Sequence, residues 1–102
     1  MHYKVVLTAE AANDFRGLDG SIKRVVAKQL KKLEASPHLG APLGSRAGFD
    51  LAGYYKLYAM NKAIRIVYRI IDDEVVVEVV GIGRRADLEV YAEVARRLLK
   101  KK

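Results

Sequence analysis

The stretch Tyr54–Arg85, YYKLYAMNKAIRIVYRIIDDEVVVEVVGIGRR, limits the possible folds more than any other part of the chain. It reads as three consecutive strands, and side chains alternate between the two faces of a strand. In the first run Tyr54, Lys56 and Tyr58 share one face, and Tyr55, Leu57 and Ala59 share the other. In the second run Arg65, Val67 and Arg69 oppose Ile64, Ile66, Tyr68 and Ile70. The links are short and polar: Asn61–Lys62 in one, and Asp72–Asp73 or Asp73–Glu74 in the other, as hairpin turns prefer. Pairing Ala59 near Ile64 sets Tyr58 across from Arg65, and the second hairpin puts Glu78 on the Arg65/Arg69 face. One face is then almost wholly apolar and must be covered. The other carries Tyr54, Lys56, Tyr58, Arg65, Arg69 and Glu78. A slip of one residue would bury both arginines, so the register is strongly specified.

The rest of the chain supplies the cover. Tyr3–Leu7 reads as a short strand. Thr8 is a good N-cap, and Glu10 lies in the first turn, where the helix dipole favours an acid. A helix from Ala9 to about Leu18 would bury Ala12, Phe15 and Leu18, and Asp19–Gly20 would end it. Ser21 can cap a second helix, Ile22–Ala35, whose Ile22, Val25, Val26, Leu30 and Leu33 form an apolar stripe. Lys23, Arg24, Lys28, Lys31 and Lys32 take the remaining surface, an ordinary solvated face. Ser36–Pro37 stops this helix. Residues 37–50 read as a loop rich in glycine and proline, and they lack the Gly-Lys-Ser/Thr ending of a phosphate-binding loop. After Gly83, Asp87 can cap a last helix from Leu88 toward Lys100, with Leu88, Tyr91, Ala95 and Leu98 at helical spacing. Its end, Arg96, Arg97, Lys100, Lys101 and Lys102, places cations where the dipole favours them by about 0.3–1 kcal/mol each. The fold class is α+β: a small, mostly antiparallel sheet with an N-terminal strand, a helical hairpin on one face, a three-strand meander and a C-terminal helix.

Charge narrows the function. The chain has 102 residues, the length of one domain, with Lys+Arg 19 against Asp+Glu 12 and a net charge of +7. Such a balance points to an anionic partner, nucleic acid first. There are no cysteines, and His2 and His38 are not at ligand spacing, so neither thiolate chemistry nor a metal is expected, and no cofactor is implied. No apolar run is long enough to span a bilayer, and the N-terminus lacks the apolar segment of a signal peptide, so a cytoplasmic location is expected.

Lys56, Tyr58, Arg65 and Arg69 gather on the face away from the helical hairpin, and Arg85 and Tyr91 follow the last strand and can close on the same patch. Guanidiniums, an ammonium and phenols in one place suit a phosphodiester backbone, since arginine matches phosphate oxygens with a two-pronged fork. RNA cleavage by the internal 2′-OH needs a proton acceptor, charge to stabilise the phosphorane, and a proton donor for the leaving 5′-oxygen. Arginine and lysine supply the charge. An ordinary tyrosine or lysine, with a pKa of about 10, is a poor base at neutral pH, and clustered cations are the available remedy. Exposed sheet faces carry such residues routinely, and Arg69–Glu78 can be a plain cross-strand pair. Lys56 and Arg65 have no obvious acid on the face.

These residues match a family. GYYKL (Gly53–Leu57), RIVYRIIDDEVVVEVV (Arg65–Val80), IGRR (Ile82–Arg85) and EVY (Glu89–Tyr91), with the helical hairpin and Ser36–Pro37 after it, resemble the RelE toxins of the RelE/ParE superfamily. The resemblance spans nearly the whole chain, so residues 1–102 are expected to be one RelE-like toxin domain. It implies a ribosome-dependent endoribonuclease that enters the A site of the small subunit. There it would cleave mRNA by 2′-OH attack, leaving a 2′,3′-cyclic phosphate. It implies a cognate antitoxin that neutralises the toxin and brings it to operator DNA only indirectly. By position Lys56, Arg65, Arg85 and Tyr91 resemble the catalytic set: the arginines for phosphate, lysine and tyrosine for proton transfer. Tyr58, Arg69 and Arg84 are expected RNA contacts. One departure stands out. The family pattern has a second lysine where this chain has Tyr58, which either stacks a base, shares proton transfer or lowers activity. Two other readings stay open: a ParE-like inhibitor of DNA gyrase acting by protein contact, and a non-catalytic RNA-binding module.

Overall fold

The computed structural model describes residues 2–46, 49–84 and 89–100. The elements run β1 (Lys4–Leu7), α1 (Ala9–Arg16), α2 (Gly20–Ala35), β2 (Ala41–Arg46), β3 (Phe49–Ala59), β4 (Ile64–Ile71), β5 (Val76–Arg84) and α3 (Glu89–Lys100). The five strands form one sheet in the order β1-β5-β4-β3-β2. β1 pairs parallel to β5, and every other neighbour is antiparallel.

The register follows the alternation. Tyr58 pairs with Arg65, Ala59 with Ile64 and Tyr54 with Arg69, while Arg69 pairs with Glu78 on its other side. The apolar face lies under α1 and α2, where Leu57, Ile64, Ile66, Tyr68, Val77 and Val79 pack against Ala11, Val26 and Leu33. Thr8 caps α1 by accepting from the Ala11 amide at 3.1 Å. The fully buried residue of that helix is Ala11 rather than Ala12, with Phe15 and Leu18 at the margin of the core.

Several local expectations are corrected. Residues 37–50, read as loop, contain β2 and the start of β3. The period-2 signal is missing because β2 is an edge strand, where Pro42 is tolerated, and its register shifts between Pro42 and Gly44. The first helix stops at Arg16, short of Leu18, and the second starts at Gly20 with Asp19 at its N-cap in place of Ser21. The β4–β5 link is longer than two residues: Asp72–Glu74 make one 3-10 turn, and Val75 follows in the left-handed region. The expected cap Asp87 and first helical residue Leu88 lie outside the described residues, as do Lys101 and Lys102.

The second face is not open along its length. Leu43, Leu51, Val67 and Val80 form a smaller core there with Tyr91 and Val94 of α3. A bulge where Val67 and Tyr68 of β4 face Gly81 and Val79 of β5 accommodates Val80. Arg97 anchors α3. It donates to the Val80 carbonyl at 2.7 Å and through both Nη1 and Nη2 to Asp14 of α1 at 3.1 Å, with Nε toward Glu93 at 3.2 Å. Asp14 also accepts from the Ile82 amide at 3.1 Å. Within the C-terminal basic run, Arg97 is thus a packed anchor in addition to compensating the helix dipole. No helix among the described residues is long and apolar enough to cross a membrane.

Candidate functional site

The site is built at the end of the sheet where β3 turns into β4. Lys56 and Tyr58 sit two residues apart on one strand and so point the same way. Arg65 is opposite Tyr58 on the next strand. The turn between them holds Met60, Asn61 and Lys62 at φ of 54°, 52° and 72°, a left-handed run that non-glycine residues seldom adopt. It brings the Lys62 Nζ to 5.9 Å from the Tyr58 ring centre, so a turn residue joins the site, a placement that strand alternation alone does not signal. On the other face, Gln29 of α2 donates to the Tyr58 carbonyl at 2.7 Å and ties down the end of β3.

Three side chains meet at one oxygen. The Tyr58 hydroxyl accepts from Lys56 Nζ at 3.1 Å and from Arg65 Nη2 at 3.4 Å. Those two hydrogen bonds, Lys56 first, hold the Tyr58 phenol down at a pKa of about 8, because both donors favour the phenolate. The Arg65 guanidinium carbon is 5.5 Å from the Tyr58 ring centre and 4.5 Å from that of Tyr91. Cation–π contacts of this kind contribute about 0.5–2 kcal/mol. They do not replace hydrogen bonds. Arg65 is only 7% exposed, and its Nε and Nη1 have no hydrogen-bond partner among the described residues. Leaving such donors buried and unmet costs about 1–3 kcal/mol or more. A tetrahedral oxyanion that accepts from them would remove that cost.

The structure thus brings together Lys56, Tyr58, Arg65 and Tyr91. Arg85 lies outside the described residues. Arg69 is on the same face but four residues along β4, about 13 Å away at the rise of a strand, and it donates from Nε to Glu78 at 2.7 Å. Arg84 pairs with Ile64, so it is on the face of the helical hairpin, at the sheet end, and is exposed away from the cluster. The alternation rule itself could have found this, because Arg84 and Ile82 are in phase. The face expected to be uncovered is roofed at this point by Tyr91, because the apolar stripe of α3 has its counterpart in Val67 and Val80.

Comparison with known proteins gives a consistent answer. Residues 5–89 match the family model for the ParE toxin of type II toxin–antitoxin systems. A putative RelE-like toxin protein of Escherichia coli is 31% identical over 96% of this chain and 99% of its own. The mRNA interferase toxin RelE of Escherichia coli K12 is 30% identical over 97% of this chain and all of its own. Among solved structures, a double arginine-to-alanine mutant of the E. coli toxin RelE in the free state superposes with a TM-score of 0.78 at 27% identity, covering 96% of this chain and 99% of that one. The toxin–antitoxin complex RelBE2 of Mycobacterium tuberculosis contains a chain that superposes with a TM-score of 0.69 at 29% identity, covering 83% of this chain and all of that one. With its fold, its length and its sequence all in agreement, the chain belongs to the ParE toxin family of type II toxin–antitoxin systems and is a RelE-like toxin of the RelE/ParE superfamily.

Proposed function

We propose that this toxin is a ribosome-dependent mRNA endoribonuclease that works by internal transesterification. The observation that carries the reading is Arg65: a buried guanidinium whose Nε and Nη1 have no hydrogen-bond partner among the described residues, set between two tyrosine rings and one phenol away from a lysine. The two relatives named as mRNA interferase RelE, each 30% identical over 97% of this chain, support it. The 2′-oxygen attacks the adjacent phosphorus, the bond from phosphorus to the 5′-oxygen breaks, and a 2′,3′-cyclic phosphate is left. Arg65, with Arg85, stabilises the charge that builds on the phosphorane oxygens. Lys56 and Tyr91 serve proton transfer. Without a histidine pair the chemistry leans on external positioning of the strand, and the RelE resemblance puts that at the ribosomal A site, in the cytoplasm. A cognate antitoxin holds the toxin inactive and carries it to operator DNA, and structural relatives occur in toxin–antitoxin complexes.

Primer extension on ribosomes stalled at a defined codon tests the reading. New 5′ ends within the A-site codon are expected, dependent on the toxin and suppressed by its antitoxin. The family model that matches is that of ParE toxins, so the competing reading is protein contact with DNA gyrase. Trapped gyrase–DNA complexes with intact mRNA would establish that reading instead, and ribosome-bound, uncut mRNA would establish a binding module.

A further inference from the structure

We propose that Tyr58 is the proton acceptor of the cleavage reaction, its phenolate oxygen taking the proton of the attacking 2′-OH. This rests on the nuclease reading above and gives the acceptor's part of the proton transfer to Tyr58 in place of Tyr91, whose ring packs on the Arg65 guanidinium.

Geometry carries the assignment. The Tyr58 hydroxyl oxygen is the point on which Lys56 Nζ and Arg65 Nη2 converge, at 3.1 and 3.4 Å. Lysine and arginine in their charged forms have donors only, so neither can accept a proton, whereas a phenol oxygen can. The two cations that hold it also stabilise the anion that must form. Among the described residues, the charged and titratable groups set around the phenol include Lys56 on β3, Lys62 in the turn, and Arg65 on β4 with Tyr91 of α3 beyond it. Of these, Lys56 and then Arg65 draw the phenol down to about 8 through their hydrogen bonds to its oxygen. Such a pKa leaves a useful fraction ionised near neutral pH and keeps the phenolate basic enough to work, the compromise a general base needs.

The step balances. The 2′-OH proton passes to the Tyr58 oxygen as the 2′-oxygen–phosphorus bond forms. The leaving 5′-oxygen takes a proton from the Lys56 ammonium. Tyr58 is then neutral and Lys56 is an amine, and transfer along their 3.1 Å hydrogen bond restores phenolate and ammonium for the next turnover.

The test is the pH dependence of single-turnover cleavage on mRNA-programmed ribosomes, with the full toxin. The wild-type rate should rise with pH and level off near the phenol's pKa of about 8. Tyr58→Phe, which keeps the ring, should cut about 100-fold more slowly or worse and lose that rise, while its affinity for the ribosome stays within twofold. Mono- and difluorinated tyrosine in place of Tyr58, with more acidic phenols, should move the rise to lower pH in order of acidity. A Tyr58→Phe enzyme with the wild-type profile, a rise unmoved by fluorination, or a loss of rate explained wholly by lost affinity would each overturn the assignment while the nuclease reading stands. No cutting by the wild-type toxin would overturn the nuclease reading and this inference together.

Discussion

Arg97 of α3 and Asp14 of α1 meet across 83 residues of sequence in a two-pronged ion pair, each Nη 3.1 Å from a carboxylate oxygen. Both side chains are largely buried, at 11% and 23% exposure, and each also serves the backbone of β5, at Val80 and Ile82. The pair therefore closes α3, and with it Tyr91, over the cationic end of the sheet.

Breaking it should be costly. Removing one partner leaves a desolvated charge on the other, so Arg97→Ala or Asp14→Ala should each lose about 2–4 kcal/mol in denaturant unfolding. The double mutant should lose clearly less than the sum, with a coupling of about 1–3 kcal/mol. Additive losses would mean that the two side chains act independently.

The close approach of β2 to β3 can be tested at Gly40. A Cβ there would lie 2.4 Å from the Lys56 carbonyl oxygen and 2.7 Å from the Tyr68 hydroxyl. That hydroxyl accepts from the Gly40 amide at 2.9 Å and donates to the Pro37 carbonyl at 2.8 Å. Gly40→Ala should cost at least about 2 kcal/mol and, by displacing the Lys56 backbone, slow cleavage beyond its effect on folded fraction. Tyr68→Phe should cost about 1–3 kcal/mol and leave cleavage by the folded enzyme unchanged.

Parts of this were legible in the residues alone. Strict alternation between Tyr54 and Ile70 fixed the pairing of Tyr58 with Arg65, because a slip of one residue would exchange core for solvent. β2 was hidden because Pro42 and Gly44 at a sheet edge carry no period. The roof over Arg65 was half legible: the stripe of α3 was visible, but what it covered depends on the bulge at Val80. The Arg97–Asp14 pair had no sequence signal at all, since its partners stand in a basic run and a short helix at opposite ends of the chain.

Val75 stores strain away from the site. Its φ of 55° and ψ of 46° put a β-branched residue in the left-handed region, at a cost on the order of 1–3 kcal/mol. Asparagine is far better suited there, so Val75→Asn should gain about 1 kcal/mol, a rise in melting temperature of about 4–8 °C for a domain of this size. Cleavage should not change, because Val75 lies at the opposite end of the β4–β5 hairpin from Ile64 and Arg84.

Arg69 and Glu78 should prove structural. Their pair is half-exposed, with Arg69 at 43%, so solvent screening limits it to under about 1 kcal/mol. Arg69→Ala should shift stability by no more than that and keep ribosome-dependent cleavage within about threefold of wild type. A 100-fold loss would place Arg69 on the RNA.

Arg65 is held at a cost to stability, its Nε and Nη1 unmet among the described residues and available to a phosphate. Arg65→Met keeps the apolar stem between the rings of Tyr58 and Tyr91 and removes the two unmet buried donors. Thermal unfolding and single-turnover cleavage, measured on the same preparation, test this directly. A melting temperature equal to or above wild type is expected, with cleavage reduced on the order of 100–1000-fold. Cleavage within threefold of wild type, or a loss that merely follows unfolding, would contradict it.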